Sequence, residues 1–398
     1  MGILYEVFYI KFYLYSNRPC ASMAALPGQF STSLIFNDHH RDLIHCVAFD
    51  FHGRRIATSS SDMVVCVWNL SPNGTWQKSA SWKSHGGPVW KVIWAHPEFG
   101  QILATCSFDR SVIIWEETIR AEDENLARNG VHSGKSKGHT HWKRCCQLVD
   151  SRHNVTDIKF SPRYLGLMLA TVSSQGMLRI YEAPDIINLS MWNLNTDITV
   201  FKYRCSALTW SSNRLNKPLI AISSDDTEDN MKYVAIYEYH DSLRKWQLLN
   251  SSAIKVEEPV HDVAFAPSAG RCYHLLAVAA KDVSIFKLVE INKKIDVHGE
   301  IIDSGQPTVY EIQLVEVLEN PSPSYVDVSM WRLSWNITGT ILTAGSSDGN
   351  VRVWKANFLK KWPLVATIKS TEDCKMHPDD PKKTTSISAL PRQSHVYY

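Results

Sequence analysis

The chain has 398 residues, 44% hydrophobic and 21% charged, with 42 Lys+Arg against 40 Asp+Glu for a formal charge of +2. That is ample for a large core, and it lacks both the basic field of a nucleic-acid binder and the acidic excess of a disordered chain. The nine cysteines form no CxxC pair and lie mostly in apolar runs, which excludes a zinc ribbon or thioredoxin-type site and reads as free thiols in a reducing compartment.

Residues 1–30 begin MGILYEVFYIKFYLY, where Glu6 and Lys11 interrupt the apolar run and no basic segment precedes it, so a signal peptide is not expected. The segment reads as a poorly ordered extension, with Met23 an alternative start. No later apolar run reaches the roughly 18 residues of a membrane-spanning helix. A first strand is expected near Ser33, Leu34, Ile35 and Phe36.

From there the chain repeats itself. IHCVAFDFHGRRIATSSSDMVVCVW (44–68) is matched by VWKVIWAHPEFGQILATCSFDRSVIIW (89–115) and VTDIKFSPRYLGLMLATVSSQGMLRIY (155–181). Three more copies occupy 205–239, 260–287 and 331–354. Each alternates apolar and polar residues, turns at Pro, Gly or Asn, passes through a strand of small residues, turns again and closes on an aromatic. The closing residues are Trp68, Trp115, Tyr181, Tyr237, Phe286 and Trp354. Such copies predict an all-β fold, a six-bladed WD40 β-propeller over 31–370 whose small-residue strands lie where the blades converge.

His40, Ser60, Asp62 and Trp68, and again His85, Ser107, Asp109 and Trp115, occupy the positions where WD40 repeats hold a hydrogen-bonded tetrad. A Ser-His-Asp hydrolase would present such a set once, beside an oxyanion hole. Here it recurs and ends on Trp, so its expected role is to lock a turn. Gln175 replaces the aspartate in blade three, and blades three to six lack the histidine.

Between blades two and three, residues 118–141 read as a mobile surface loop. Its Gly130–Ser136 stretch is one residue short of a phosphate loop and follows no strand, and His132, His139 and His141 have no ordered flanks for a metal. Asp225–Asp229 lacks the ligand spacing of a calcium loop. The Pro/Ser/Thr-rich tail, 371–398, is expected to be disordered. No catalytic residue, cofactor or metal is expected anywhere.

The stretches DLIHCVAFDFHGRRIATSSSDMVVCVW, WAHPEFG, RIYEAPDIINLSMW, PVHDVAFAP and RLSWNITGTILTAGSSDGNVRVWKANF closely resemble the Seh-type nucleoporins, from about Asp38 to Trp362. That resemblance implies a non-enzymatic scaffold propeller of the Y-shaped nuclear pore outer ring, supporting pore assembly and nucleocytoplasmic transport. It implies an open ring completed in trans by a blade from a helical-solenoid nucleoporin, contacts with other Y-complex nucleoporins, and membership of the GATOR complex at the lysosome, which regulates TOR signalling. No direct nucleic-acid contact is implied. The six copies by themselves fit a closed ring as well as an open one. If the ring is open, Leu34, Ile35 and Phe36 should flank the gap on one side and Met330, Trp331 and Arg332 on the other. An endoplasmic-reticulum vesicle-coat propeller and a ubiquitin-ligase substrate receptor are the alternatives.

Overall fold

Alternation of apolar and polar residues gives each repeat two faces to bury, and it does so by stacking on its neighbours. The structure, a computed structural model, describes residues 39–368 apart from 120–139, 215, 228–232, 250–253, 255, 257, 269, 292–307 and 320–327. The described residues form six antiparallel four-stranded sheets, each with its strands in chain order. Blade one is β1 (Ile44–Phe49), β2 (Arg55–Ser60), β3 (Val64–Leu70) and β4 (Trp76–Lys83). Blade two is β5 (Val89–Trp94), β6 (Ile102–Ser107), β7 (Val112–Ile119) and β8 (Thr140–Leu148). Blade three is β9 (Val155–Phe160), β10 (Met168–Ser173), β11 (Met177–Glu182) and β12 (Asn193–Thr199). Blade four is β13 (Ala207–Trp210), β14 (Leu219–Ser223), β15 (Val234–His240) and β16 (Lys245–Leu248). Blade five is β17 (Asp262–Phe265), β18 (His274–Ala279), β19 (Val283–Glu290) and β20 (Tyr310–Leu318). Blade six is β21 (Met330–Trp335), β22 (Ile341–Ser346), β23 (Val351–Lys355) and β24 (Leu364–Ile368).

The first strand of each blade lines the axis, and these inner strands pack in series: β1 on β5, β5 on β9, β9 on β13, β13 on β17 and β17 on β21. The small-residue second strands are almost wholly buried, as in β6, where every residue from Ile102 to Ser107 is inside. Ala57, Ala104, Ala170, Ala221 and Ala277 occur there because two sheets converge on them and a longer side chain would overpack the wedge. Apolar clusters fill the spaces between successive blades; one joins Cys46, Ala57 and Val67 of blade one to Leu103 and Trp115 of blade two.

The first, second and sixth repeats turn between their second and third strands on a Ser-x-Asp sequence, but the third turns on Gly176. There φ is +75°, and a Cβ would lie 2.2 Å from the Phe201 carbonyl oxygen and 2.5 Å from that of Tyr203. Only glycine lets the chain leaving β12 dock on this turn, where Val200 N–H donates to the Gly176 oxygen at 2.8 Å.

Candidate functional site: blade locks and an unpacked blade edge

In blades one and two a line of polar side chains runs through the sheet. Around Trp115, the indole N–H donates to Thr105 Oγ1 at 3.0 Å, Thr105 lies 2.8 Å from His85 Nε2, and His85 Nδ1 lies 3.0 Å from Asp109 Oδ2. In blade one, Trp68 donates to Thr58, which lies 2.8 Å from His40 Nε2, and His40 Nδ1 is 3.1 Å from Asp62. A carboxylate only accepts, so each Nδ1 carries the proton. In the neutral imidazole Nε2 then accepts from the threonine hydroxyl, which itself accepts from the indole. Both imidazoles are fully buried.

This corrects the sequence expectation at one member. The hydroxyl between imidazole and indole belongs to Thr58 and Thr105, not to Ser60 and Ser107. Strand alternation puts residues two apart on one face, and the serines lie one step further on, at the strand end. Ser60 donates to Asp42 O and Ser107 to Pro88 O, and each accepts from the backbone N–H of Asp62 or Asp109, which pins the turn. The sequence signal was available: each threonine lies ten residues before its tryptophan.

Burial would raise the Asp62 carboxyl, yet the N–H groups of Arg41 and Val64, with His40, hold it below its ordinary value. Asp109 is likewise opposed by burial but held well below by His85, Ser111 and the Gly86 N–H. Burial keeps His40 below 6.5 against the pull of Asp62. In blade six, where the histidine is missing, the Arg352 guanidinium lies in the sheet and donates to Asp348 Oδ2 at 2.6 Å and to Ser346. Asp348 accordingly sits far below the usual carboxylate range, where partial desolvation is outweighed by Arg352, Ser346 and the Asn350 N–H.

A second set of contacts lies along the axis, and no repeat motif revealed it. Asp157 Oδ2 accepts from Leu208 N–H of the next blade at 3.0 Å, and Asp262 Oδ2 from Leu333 N–H at 2.9 Å. Cys46, at the same register in blade one, points its thiol at Val92 O. One further step along the strand pair, the indoles of Trp94, Trp210 and Trp335 donate back to Ala48, Lys159 and Ala264 at 3.0, 3.2 and 3.0 Å. These links join blades one to two, three to four and five to six. Between blades two and three, Lys91 Nζ meets Asp157 Oδ1 at 2.9 Å.

Among the described residues the series of packed inner strands runs as far as β17 on β21, and β21 and β1 share no comparable packing. The residue before each closing aromatic shows the consequence. Val67, Ile114, Ile180, Ile236 and Ile285 are 0, 0, 1, 0 and 0% exposed, each roofed by the following blade. Val353, the sixth, is only partly covered, as are Ile341 and Gly345 on the same face. On the far side of this sector Ile44, Val47, Ile56, Cys66 and Trp68 form a cluster drawn from blade one alone.

Of the six residues expected to flank a gap, Leu34, Ile35 and Phe36 lie outside the described residues. Met330 is corrected: it is fully buried against blade five and donates its N–H to Ala280 O. The strand bulges between Met330 and Arg332, which turns Met330 inward and leaves Trp331 outside. Trp331 is 49% exposed, stacked at 4.2 Å on His261, and Arg332 is half-buried at the axis. Val353 was missed because nothing in a single repeat says how far its neighbours cover it.

Six four-stranded blades, the first two of them pinned by Trp-Thr-His-Asp locks, define a WD40-repeat β-propeller. Its sequence matches the WD domain, G-beta repeat family over residues 30–69, 76–116 and 320–355, which carry the turns at Asp62, Asp109 and Asp348. Nucleoporin SEH1-A of Xenopus laevis and nucleoporin SEH1 of Homo sapiens are each 48% identical to this chain over 333 residues, covering 83% of it and 86% of theirs. Nucleoporin SEH1 of Danio rerio is 45% identical over 335 residues, 83% of this chain and 85% of its own. The chain belongs to the nucleoporin SEH1 family.

Proposed function

We propose that the chain is a non-enzymatic scaffold of the nuclear pore complex, working as a propeller whose sixth blade offers its open face to another chain. Membership of the nucleoporin SEH1 family supports the pore assignment. The observation that carries the docking reading is Val353, the only pre-aromatic residue of the six that no following blade covers. An apolar sheet face left so is a liability unless a second chain pairs with it. The partner is the helical-solenoid nucleoporin of the Y-shaped outer ring, donating one blade in trans, and through that ring the chain contacts other Y-complex nucleoporins and supports nucleocytoplasmic transport. A related solenoid docks at the same sector in GATOR, which links the chain to TOR signalling at the lysosome. A non-enzymatic role is supported by the buried locks: each imidazole is spent between a carboxylate and a hydroxyl that also holds an indole, with no free nucleophile beside it.

Co-expression with the solenoid nucleoporin tests this. Val353→Arg should abolish the complex and shift the melting temperature of the isolated chain only a little, since the position is only partly covered. An undiminished Val353→Arg complex would remove this face from the interface.

A further inference from the structure

Every blade is an antiparallel meander, so its first and third turns leave the sheet at one end and its second turn at the other. Inner strands of successive blades run the same way, since Asp157 and Lys159 meet Leu208 and Trp210 in that order. All first and third turns therefore share one end of the disc. There the first turns of neighbouring blades touch: Phe51 packs edge-on against His96 at 4.8 Å, Tyr164 donates to Asn213 O at 2.8 Å, and Arg271 to Thr338 O at 2.9 Å. The turns form a linked floor.

Apolar side chains stand out from that floor. Ile187, Phe358 and Ile337 are 93, 92 and 78% exposed, the highest values among the large apolar side chains of the described residues, and all three lie at this end. Leu359, beside Phe358, and Phe51 of blade one are exposed as well. Each of the three tips is braced by a side chain just before it. Asn357 Oδ1 accepts from Lys361 N–H at 3.0 Å, Asn336 Oδ1 from Thr340 N–H at 2.7 Å, and Asp185 Oδ1 from Ile187 N–H at 2.8 Å. The tips are thus held outward before any partner arrives, which lowers the ordering cost of burying them.

Charge divides between the same two ends. Among the described turns at this end Lys and Arg outnumber Asp and Glu, and Lys360 and Lys361 directly follow Phe358 and Leu359. Asp50 and Asp185, two of the few acids here, are engaged with backbone N–H groups. At the opposite end Asp and Glu outnumber Lys and Arg, with Asp62, Asp109, Asp225 and Asp348 among them.

We propose that the basic, apolar-tipped end of the propeller lies on an anionic lipid surface, with Phe358, Leu359 and Ile337 dipping to the acyl boundary and Lys360 and Lys361 among the headgroups. Peripheral anchoring without a spanning helix takes two signals, apolar insertion and a basic patch, and the turns of blade six set them side by side. A protein partner calls for one contiguous apolar core inside a polar rim. Here the tips stand apart on blades one, three and six, a spacing that a fluid interface accepts without matching its shape. A blade docking in the plane of the disc leaves this end free, so membrane contact and docking are separate properties of the chain.

The test is flotation of the purified full chain with phosphatidylcholine vesicles, with and without about one-third phosphatidylserine. The wild type should float with the anionic vesicles alone, and less so as salt rises. Phe358→Ser with Leu359→Ser, and separately Lys360→Glu with Lys361→Glu, should each weaken partitioning by about tenfold or more. Phe108→Ser, at the opposite end, and Val353→Arg should partition as wild type. The substituted side chains are exposed or only partly covered, and thermal unfolding of each variant checks that the blades stay intact. A wild type that ignores both vesicles overturns the proposal, and so does partitioning that the Phe358 and Leu359 pair leaves unchanged. If vesicles are ignored while the same pairs weaken the complex with the solenoid nucleoporin, this end is a protein interface and the lipid assignment falls. If vesicles bind as expected while Val353→Arg leaves that complex intact, the docking reading falls alone.

Discussion

Replacing Thr105 by valine keeps the shape of the side chain and removes one oxygen atom from the centre of blade two. That oxygen accepts from Trp115 Nε1 at 3.0 Å and faces His85 Nε2 at 2.8 Å, and Thr105 itself is fully buried. Valine therefore orphans an indole N–H and an imidazole nitrogen in a site with no room for water. A buried polar group left unpaired costs about 1–3 kcal/mol. Two such groups, partly offset by an added apolar methyl, place Thr105→Val at about 3 kcal/mol of destabilisation. Thr105→Ser keeps the oxygen and gives up one buried methyl, about 1 kcal/mol. Ser107→Ala removes a donor to Pro88 O and an acceptor for Asp109 N–H at the strand end, and should cost about 1–2 kcal/mol. Equilibrium urea unfolding followed by tryptophan fluorescence ranks the three, and amide exchange across β6 and β7 should speed up selectively in the valine variant. A Thr105→Val protein as stable as wild type, or more stable than Thr105→Ser, would show that the hydroxyl does not hold the lock together.

Gly176→Ala should cost about 2–3 kcal/mol, from the left-handed backbone together with the clash on the Phe201 and Tyr203 carbonyls. Gly53→Ala, at φ +65° with nothing within 4 Å of its Cβ, should cost about 1 kcal/mol, and equal losses in a melting experiment would rule out the close approach. Arg55 forks onto Glu117 at 2.5 and 3.0 Å, bonds Gln101 and lies over the rings of Trp94 and Trp142, so it ties blade one to blade two. Arg55→Lys keeps the charge and loses the fork and the stacking, for about 1–2 kcal/mol by urea unfolding; a silent substitution would mean that charge alone matters there. Acid should act in two steps. Burial holds His40, His45 and His261 below 6.5 in the folded chain, so the unfolded chain takes up these protons first and stability falls as pH drops from 6.5 through the folded values. Asp62, Asp109 and Asp348 are depressed below 3.8, so their stabilisation is complete above that value and disappears as pH falls through their lower folded values. A urea midpoint that stays level from pH 7 to 4.5 would contradict the first step.

What could be read from the sequence is what repeats within one blade. The alternation of IHCVAF, the small residues of ATSS and ATCS, and the fixed distance from Asp62, Asp109 or Asp348 to the next tryptophan each recur in register, because every blade solves the same local packing problem. The lock was legible to within two residues: the alternation that identified the strand also made Thr58 and Ser60 equivalent by face, and only the reach from imidazole to indole separates them. Blade three hid its substitute more completely, since Gly176 docks backbone against backbone and leaves no side-chain signature. The contacts between blades escaped for a different reason. Trp94, Trp210 and Trp335 donate to partners 46, 51 and 71 residues away, so connections of unequal length scatter a regular geometry along the chain.

The same geometry explains why an aligned set of six copies does not tell blade six from the other five. Aligning the copies treats all blades as equivalent, whereas the axis treats them as alternating. Asp157 and Asp262 each serve the even blade that follows, Lys91 serves the odd blade that follows it, and Arg332 lies in the field of both Asp262 and Asp157, which hold it charged. Were blade six merely the last of six like units, its forward face would need nothing that blades one to five do not already have. Instead it keeps a partly covered residue at Val353 and an exposed indole at Trp331, two positions whose counterparts elsewhere in the ring lie against the next blade. Replacing both by polar, neutral residues should therefore leave the urea midpoint of the six blades nearly unchanged, whereas in a ring where a seventh unit of the same chain covered them the same substitutions would destabilise it.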